Sequence, residues 1–371
     1  MHVLFACGGT GGHINPALAV AGYIREHHPD AIISFIGNKT GMEAKLVPDA
    51  GFDFYPIKVA GFQRKINFTN IKRNVDAFIK MFTSSAASKK LLKKLSPDVV
   101  VGMGGYVSGP VLREAHKLKI KTATHEQNAF PGITTKALSK FVDTVMLAME
   151  DARDRLPQNR EYVFTGNPVR GSVASAKREE ARRHFNMDDS PMILSFGGSL
   201  GARKINEATA AVMQWHASTQ KYYHYHAMGK FGVDWMPDLV KQKGVDLKNC
   251  PKIRMTEYIN DMDYCMAAAD VVICRAGAIT LSEIEMLGKA SILIPSPNVA
   301  ENHQYHNAMS LAKRGAAIVI EEKDLTEERI VNEVSQLLSD TNRIREMEAN
   351  AKAMAVTDAV ERIYIEIMKL I

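Results

Sequence analysis

ADVVICRAGAITLSEIEMLGKASILIPSPNVAENHQ, residues Ala269–Gln304, is the stretch on which the fold turns. An apolar run from Val271 to Cys274 breaks at Gly277. Helical spacing resumes at Ile279, Ile284 and Leu287, and a second apolar run covers Ser291 to Ile294. The pattern predicts strand, tight turn, helix, strand. A glycine turn feeding a helix aims unpaired backbone N–H groups and the positive end of the helix dipole at one point, where a phosphate or diphosphate fits. Glu283, one helical turn further on, is placed to accept hydrogen bonds from two ribose hydroxyls. A plainer reading is open: Thr280-x-x-Glu283 also fits a capping box, in which the glutamate only satisfies the helix start.

Outward from this stretch the same grammar repeats. In the second half Met192 to Phe196 predicts a strand, Gly197 to Ala202 a glycine turn and Ile205 to Trp215 a helix, with further strands near Tyr222 to His226, Ile253 to Met255 and Ala317 to Ile320. In the first half His2 to Ala6 predicts a strand. CGGTGGH then turns into a helix expected to begin near Asn15-Pro16, a cap residue followed by proline. Strands follow near Ile32 to Ile36, Asp53 to Lys58, Asp98 to Val101, Lys121 to Thr124 and Thr144 to Leu147, and Gly102-Met103-Gly104-Gly105-Tyr106 supplies another glycine turn. Strands alternating with helices mean parallel sheets covered on both faces. The connector Phe164 to Ser172 separates two Rossmann-like domains, 1–165 and 166–350. A final helix within 351–371 is expected, on analogy with such two-domain proteins alone, to return to the first.

The 371 residues, 46% hydrophobic and 24% charged, suit an ordinary two-domain α/β protein. No apolar run is long enough to span a bilayer and no signal-peptide pattern opens the chain, so a cytoplasmic protein is expected. Cys7, Cys250, Cys265 and Cys274 show no metal-ligand spacing and read as buried thiols. The net charge of +6 is concentrated between Arg64 and Lys94, where nine Lys or Arg face one acid, Asp76, so the remainder is net acidic. Ile71, Val75, Phe78 and Phe82 recur there at helical spacing ahead of the lysine-rich run. Such a segment suits an anionic membrane surface, each well-placed cation being worth about 1 kcal/mol. It also suits a helix with its stripe in the core and its lysines in water.

No single glycine turn here is the G-x-G-x-x-G of dinucleotide enzymes. Taken together, GGTGGHINPALA (from Gly8), GMGGYVSGP (from Gly102), HEQNAFPG (from His125), GNPVR (from Gly166), GGSLGARKIN (from Gly197) and CRAGAITLSE (from Cys274), in this order, resemble glycosyltransferase family 28 along essentially the whole chain. The resemblance implies the GT-B fold, two Rossmann-like domains facing each other across a cleft. It implies an inverting hexosyltransferase of peptidoglycan synthesis, moving N-acetylglucosamine from UDP-N-acetylglucosamine to the 4-hydroxyl of undecaprenyl-pyrophosphoryl-MurNAc-pentapeptide. It further implies a peripheral protein on the cytoplasmic face of the membrane, with anionic lipid and other cell-wall or division enzymes as partners and no nucleic acid.

Carried over by motif, Ala278, Ile279, Thr280, Leu281 and Ser282 line the donor's diphosphate and sugar, and Glu283 holds the ribose. Arg170 and Ser199 reach the diphosphate, the Ile259 backbone reads uracil, and Gln304 bonds the sugar hydroxyls. In the first domain Thr10, Gly11, Gly12 and Asn128 meet the transferred sugar, while Gly9, Gly104, Gly105 and Tyr106 hold the acceptor. Leu200 takes a position often polar in the family, and His303 precedes Gln304 where some members carry two glutamines.

Inverting displacement of UDP needs a base for the incoming hydroxyl and stabilisation of the departing diphosphate. His13, at a helix start whose positive end favours a neutral ring, is one candidate base and Glu126 the other, with His125 read as scaffold. Asp261-Met262-Asp263 looks like a metal-binding Asp-x-Asp but falls where acids favour a helix start. With Arg170, Ser199 and the Ala278–Thr280 helix end available for leaving-group charge, metal-independent transfer is expected, with no cofactor. Two other readings are open: a UDP-N-acetylglucosamine 2-epimerase on a similar scaffold, and a non-catalytic module that docks cell-wall enzymes on the membrane.

Overall fold

The computed structural model describes residues 1–59 and 84–371. They form two compact units, Met1–Pro168 with Asp358–Ile371, and Val169–Thr357.

The first unit is built on a parallel seven-stranded sheet: β1 (His2–Ala6), β2 (Ile32–Asn38), β3 (Asp53–Ile57), β4 (Val99–Gly102), β5 (Lys121–Glu126), β6 (Thr144–Leu147) and β7 (Val163–Phe164), in the order β3-β2-β1-β4-β5-β6-β7. β1 is buried along its whole length because its period-2 alternation feeds two cores at once. Val3 and Phe5 join Ile14, Val20 and Ile24 of the helix Gly11–His27 on one face, while Leu4 and Ala6 join Val111 and Leu112 of the helix Ser108–Lys117 on the other. The first of these cores also takes Ile363 and Ile367 from the helix Ala359–Met368. The chain end thus packs in the first unit from Asp358 onward, while the preceding helix, Thr341–Met354, packs on the helix Ala278–Leu287 of the second unit.

The second unit repeats the plan with six parallel strands: β8 (Met192–Phe196), β9 (Tyr223–Ala227), β10 (Ile253–Thr256), β11 (Val271–Cys274), β12 (Ala290–Leu293) and β13 (Ala317–Val319), in the order β10-β9-β8-β11-β12-β13. Each sheet reverses direction of growth once, between β1 and β4 in the first unit and between β8 and β11 in the second. Those reversals are where open α/β sheets leave a crevice beyond the strand ends.

Three local expectations are corrected. The first helix begins at Gly11 with Thr10 as N-cap, not at Asn15-Pro16; Pro16 lies inside it and, lacking an N–H, cannot make the usual bond to the Gly12 carbonyl one turn back. β12 starts one residue earlier than expected, at Ala290, because the helix Ala278–Leu287 stops at Gly288 in a left-handed C-cap (φ 60°). A strand not foreseen, β7, ends at the first residue of the connector, and its two residues are too short to show a periodicity. Ile71, Val75, Phe78 and Phe82 lie outside the described residues. The adjoining helical stretch 84–95 turns Ser88 and Leu92 inward and leaves Lys89, Lys90, Lys93 and Lys94 exposed. Among the described residues no helix is long and apolar enough to cross a membrane.

Candidate active site

In the first unit the loops after β1 and β4 meet at the reversal point. Gly105 (φ 80°) sits so close to the Gly8 carbonyl that a side chain there would collide with it, and Gly104 (φ 97°) lies against the face of the His13 ring. His13 is the third residue of the helix that starts at Gly11. Its Nδ1 is 3.0 Å from the Gly8 carbonyl oxygen and 3.4 Å from Thr10 Oγ1. A carbonyl can only accept, so Nδ1 carries the proton and donates, and in the neutral ring Nε2 keeps its lone pair. That is the arrangement a general base needs. Gly9, Thr10 and Tyr106 are exposed around it, and Gly11 and Gly12 form the first two residues of the helix.

Glu126 ends β5 and is buried. Its Oε1 accepts from the Asn128 backbone N–H (3.1 Å) and side-chain amide (3.0 Å), and its Oε2 from the Gly132 N–H (3.0 Å). The carboxylate thus ties its own loop together and orients Asn128. His125 donates from Nε2 to the Gly166 carbonyl (2.9 Å) and accepts at Nδ1 from Gln127 (3.0 Å). Burial pushes its pKa down to about 4, as a scaffold imidazole requires.

In the second unit the equivalent loops follow β8 and β11. The N-cap of the helix Ala278–Leu287 is Gly277, so Thr280 is its third helical residue and not the cap, and the Thr280–Glu283 capping box falls. Glu283, the sixth helical residue, instead accepts from Arg170 Nε (3.2 Å) and Nη2 (3.0 Å). Burial raises the Glu283 carboxyl above its ordinary value while the guanidinium pulls it back. Ile279 and Thr280 are half-buried at the turn, Ala278 and Ser282 are buried beside them, and Leu281 is wholly inside the core. Asn307 holds the turn from behind by donating to the Ala276 carbonyl (3.2 Å).

The GGSLGA turn has Gly198 and Gly201 at positive φ (92° and 81°) and leaves Ser199 and Leu200 exposed. Their carbonyls accept from the N–H groups of Lys230 (3.3 Å) and Phe231 (3.0 Å). Gln304 follows two consecutive left-handed residues, Glu301 and Asn302 (φ 53° and 50°), a strained corner of the kind found at ligand sites. Its Oε1 accepts from the Ser296 N–H (2.8 Å), and its amide nitrogen carries the two N–H groups that can donate. Ile259 lies in the loop after β10. Asp261 precedes the helix Met262–Ala268 and pairs with His184 (3.5 Å), and Asp263 is in its first turn.

Comparison with known proteins matches residues 3–147 to the glycosyltransferase family 28 N-terminal domain and residues 192–363 to the family's C-terminal domain. A relative from Acetivibrio thermocellus, named UDP-N-acetylglucosamine–N-acetylmuramyl-(pentapeptide) pyrophosphoryl-undecaprenol N-acetylglucosamine transferase, is 45% identical over 100% of this chain and 98% of its own. The chain belongs to glycosyltransferase family 28. The crystal structure of Acinetobacter baumannii MurG matches with 29% identity and a TM-score of 0.78, covering 99% of both chains. A UDP-GlcNAc 2-epimerase from Neisseria meningitidis shares the GT-B fold at 14% identity (TM-score 0.68, 100% of both chains), a likeness of fold alone. Within this family 28 enzyme, sequence reasoning missed Glu43, Asn307 and the Lys230–Phe231 segment. Each supports a glycine turn from a distant part of the chain, and a lone Glu, Asn or Lys between elements carries no signal of that.

Proposed function

We propose that this chain transfers N-acetylglucosamine from UDP to the 4-hydroxyl of the muramyl-pentapeptide pyrophosphoryl-undecaprenol acceptor, with inversion. What supports this most directly is the 45% identity, over the whole chain, to a relative named for that reaction. The acceptor oxygen bonds to the anomeric carbon as the bond from that carbon to the UDP oxygen breaks. The acceptor proton passes to His13 Nε2, whose partner nitrogen is already committed to Gly8. Charge developing on the departing diphosphate is met by the N–H groups of the turn at Gly277–Thr280, the Gly197–Ala202 turn and Arg170, so the transfer proceeds without a metal. Asp261 and Asp263 belong to a helix start outside these two turns.

The test is radiolabelled UDP-N-acetylglucosamine with and without the lipid-linked muramyl acceptor, in excess EDTA. Label is expected in the lipid fraction only when acceptor is present, at a rate EDTA does not change. Epimerised donor without acceptor would mean the isomerase instead, and loss of turnover in EDTA with rescue by Mg²⁺ would overturn the metal-independent step. The enzyme works at the cytoplasmic membrane face, with the exposed Lys89, Lys90, Lys93 and Lys94 toward anionic lipid. Reversing these four charges is expected to weaken co-sedimentation with anionic vesicles; unchanged sedimentation would discard that docking face.

A further inference from the structure

Behind the GGTGGH turn lies a carboxylate that the mechanism above does not use. Glu43 is wholly buried at the start of the short helix Glu43–Asp49. It is walled by glycines: a side chain at Gly8, Gly37 or Gly41 would run into it. Both of its oxygens accept backbone N–H groups, Oε1 from Asn38 (2.8 Å) and Oε2 from Gly9 (3.2 Å). No charged side chain forms an ion pair with it among the described residues; the titratable group facing it is the buried Cys7 thiol, which burial and Glu43 hold in its neutral form.

The Gly9 N–H and the Gly8 carbonyl are the two ends of one peptide unit. Glu43 accepts from one end of that unit, and His13 Nδ1 donates to the other. We propose that Glu43 is a positioning residue for His13, acting through the Gly8–Gly9 peptide: carboxylate, peptide and imidazole form one hydrogen-bonded line. A negative charge at the N–H end polarises the planar amide and strengthens its carbonyl as an acceptor, by roughly 10–30% per bond in condensed-phase chains. A stronger acceptor at Gly8 holds the Nδ1–H tautomer and leaves Nε2 as the basic nitrogen. This is the job done directly by the carboxylate behind a catalytic histidine in hydrolases, here relayed through one amide. The glycines give the arrangement its purpose, since they let a carboxylate reach the peptide where any side chain would block it.

The inference rests on the transferase reading, in which His13 is the base, but its first test needs no substrate. Nitrogen-15 NMR of histidine-labelled protein, with His13 assigned by its loss in His13→Gln, is expected to show the Nδ1–H tautomer predominating at neutral pH. In free imidazole side chains that form is the minor one, so an Nε2–H signal for His13 would overturn the proposal. Glu43→Gln keeps the volume but loses the charge and one acceptor. It is expected to raise the Nε2–H fraction of His13 and to lower kcat about tenfold with the donor KM unchanged. A variant that folds, keeps the parent tautomer and keeps kcat would show Glu43 to be structural only. Absence of transfer by the parent chain would instead count against the transferase reading and leave the tautomer result standing.

Discussion

The turn after β1 and the turn after β11 are the same backbone device carrying different chemistry. Each lies at its sheet's reversal point, and each leads into a helix whose first residues present free N–H groups. The third helical residue separates them: His13 in the first unit, Thr280 in the second. One is a ring that can take a proton; the other is a hydroxyl that can only share hydrogen bonds. Supporting groups differ accordingly. Behind His13 stand a carbonyl and a buried carboxylate that fix a tautomer, whereas behind Thr280 stands an Arg170–Glu283 pair that fixes where polar atoms lie. A shared fold therefore does not imply a shared role: under the proposed mechanism, the residue set into each turn makes the first unit the one that takes a proton and the second the one that holds the donor.

The largest test of this division is His13→Ala. It is expected to cost about 10²–10⁴-fold in kcat with little change in donor KM, measured by initial rates across donor concentrations. If donor KM moves and kcat does not, the division of roles is reversed. Glu283→Ala is the counterpart: removing a charged hydrogen-bonding partner is expected to raise donor KM by about 10–100-fold, with a smaller effect on kcat.

The smallest effect expected is on stability. Glu285 is buried two residues beyond Glu283, and burial pushes its pKa up to about 8 against a weaker opposing pull from Arg314. A carboxyl raised in this way binds its proton more tightly folded than unfolded. Its contribution is therefore fully present below the ordinary carboxylate range and lost as pH rises through about 8. Glu285→Gln escapes that loss. Its melting temperature is expected to match the parent near pH 4.5 and to exceed it at pH 8, by the equivalent of about 1–3 kcal/mol. An equal difference at both pH values would mean that packing, not charge, sets the outcome.

Much of the fold was legible because buried parallel strands are continuous apolar runs punctuated by glycine. Val271–Cys274 and Met192–Phe196 match the runs themselves. Boundaries went astray where a local rule met a tertiary demand. Pro16 reads as a helix start, yet the helix begins five residues earlier, where Gly11 and Gly12 bring the chain round to set His13 against Gly8 and Gly104. The candidate residues were legible as types in turns, but their partners were not. Nothing in GMEAKLV announces that Glu43 reaches Gly9, thirty-four positions earlier in the chain. Nor does HEQN reveal that both Glu126 oxygens are already spoken for.

The helix Ala359–Met368 has a consequence for how the molecule is made. Ile363 and Ile367 belong to the same core as Val3 and Phe5, so β1 waits for residues that follow the entire second unit in the chain before its neighbours are complete. The second unit has all its strands and helices in hand by then. Synthesis therefore leaves an apolar flank of the early sheet uncovered while the whole of Val169–Thr357 is added, a window in which a chaperone would have its strongest hold.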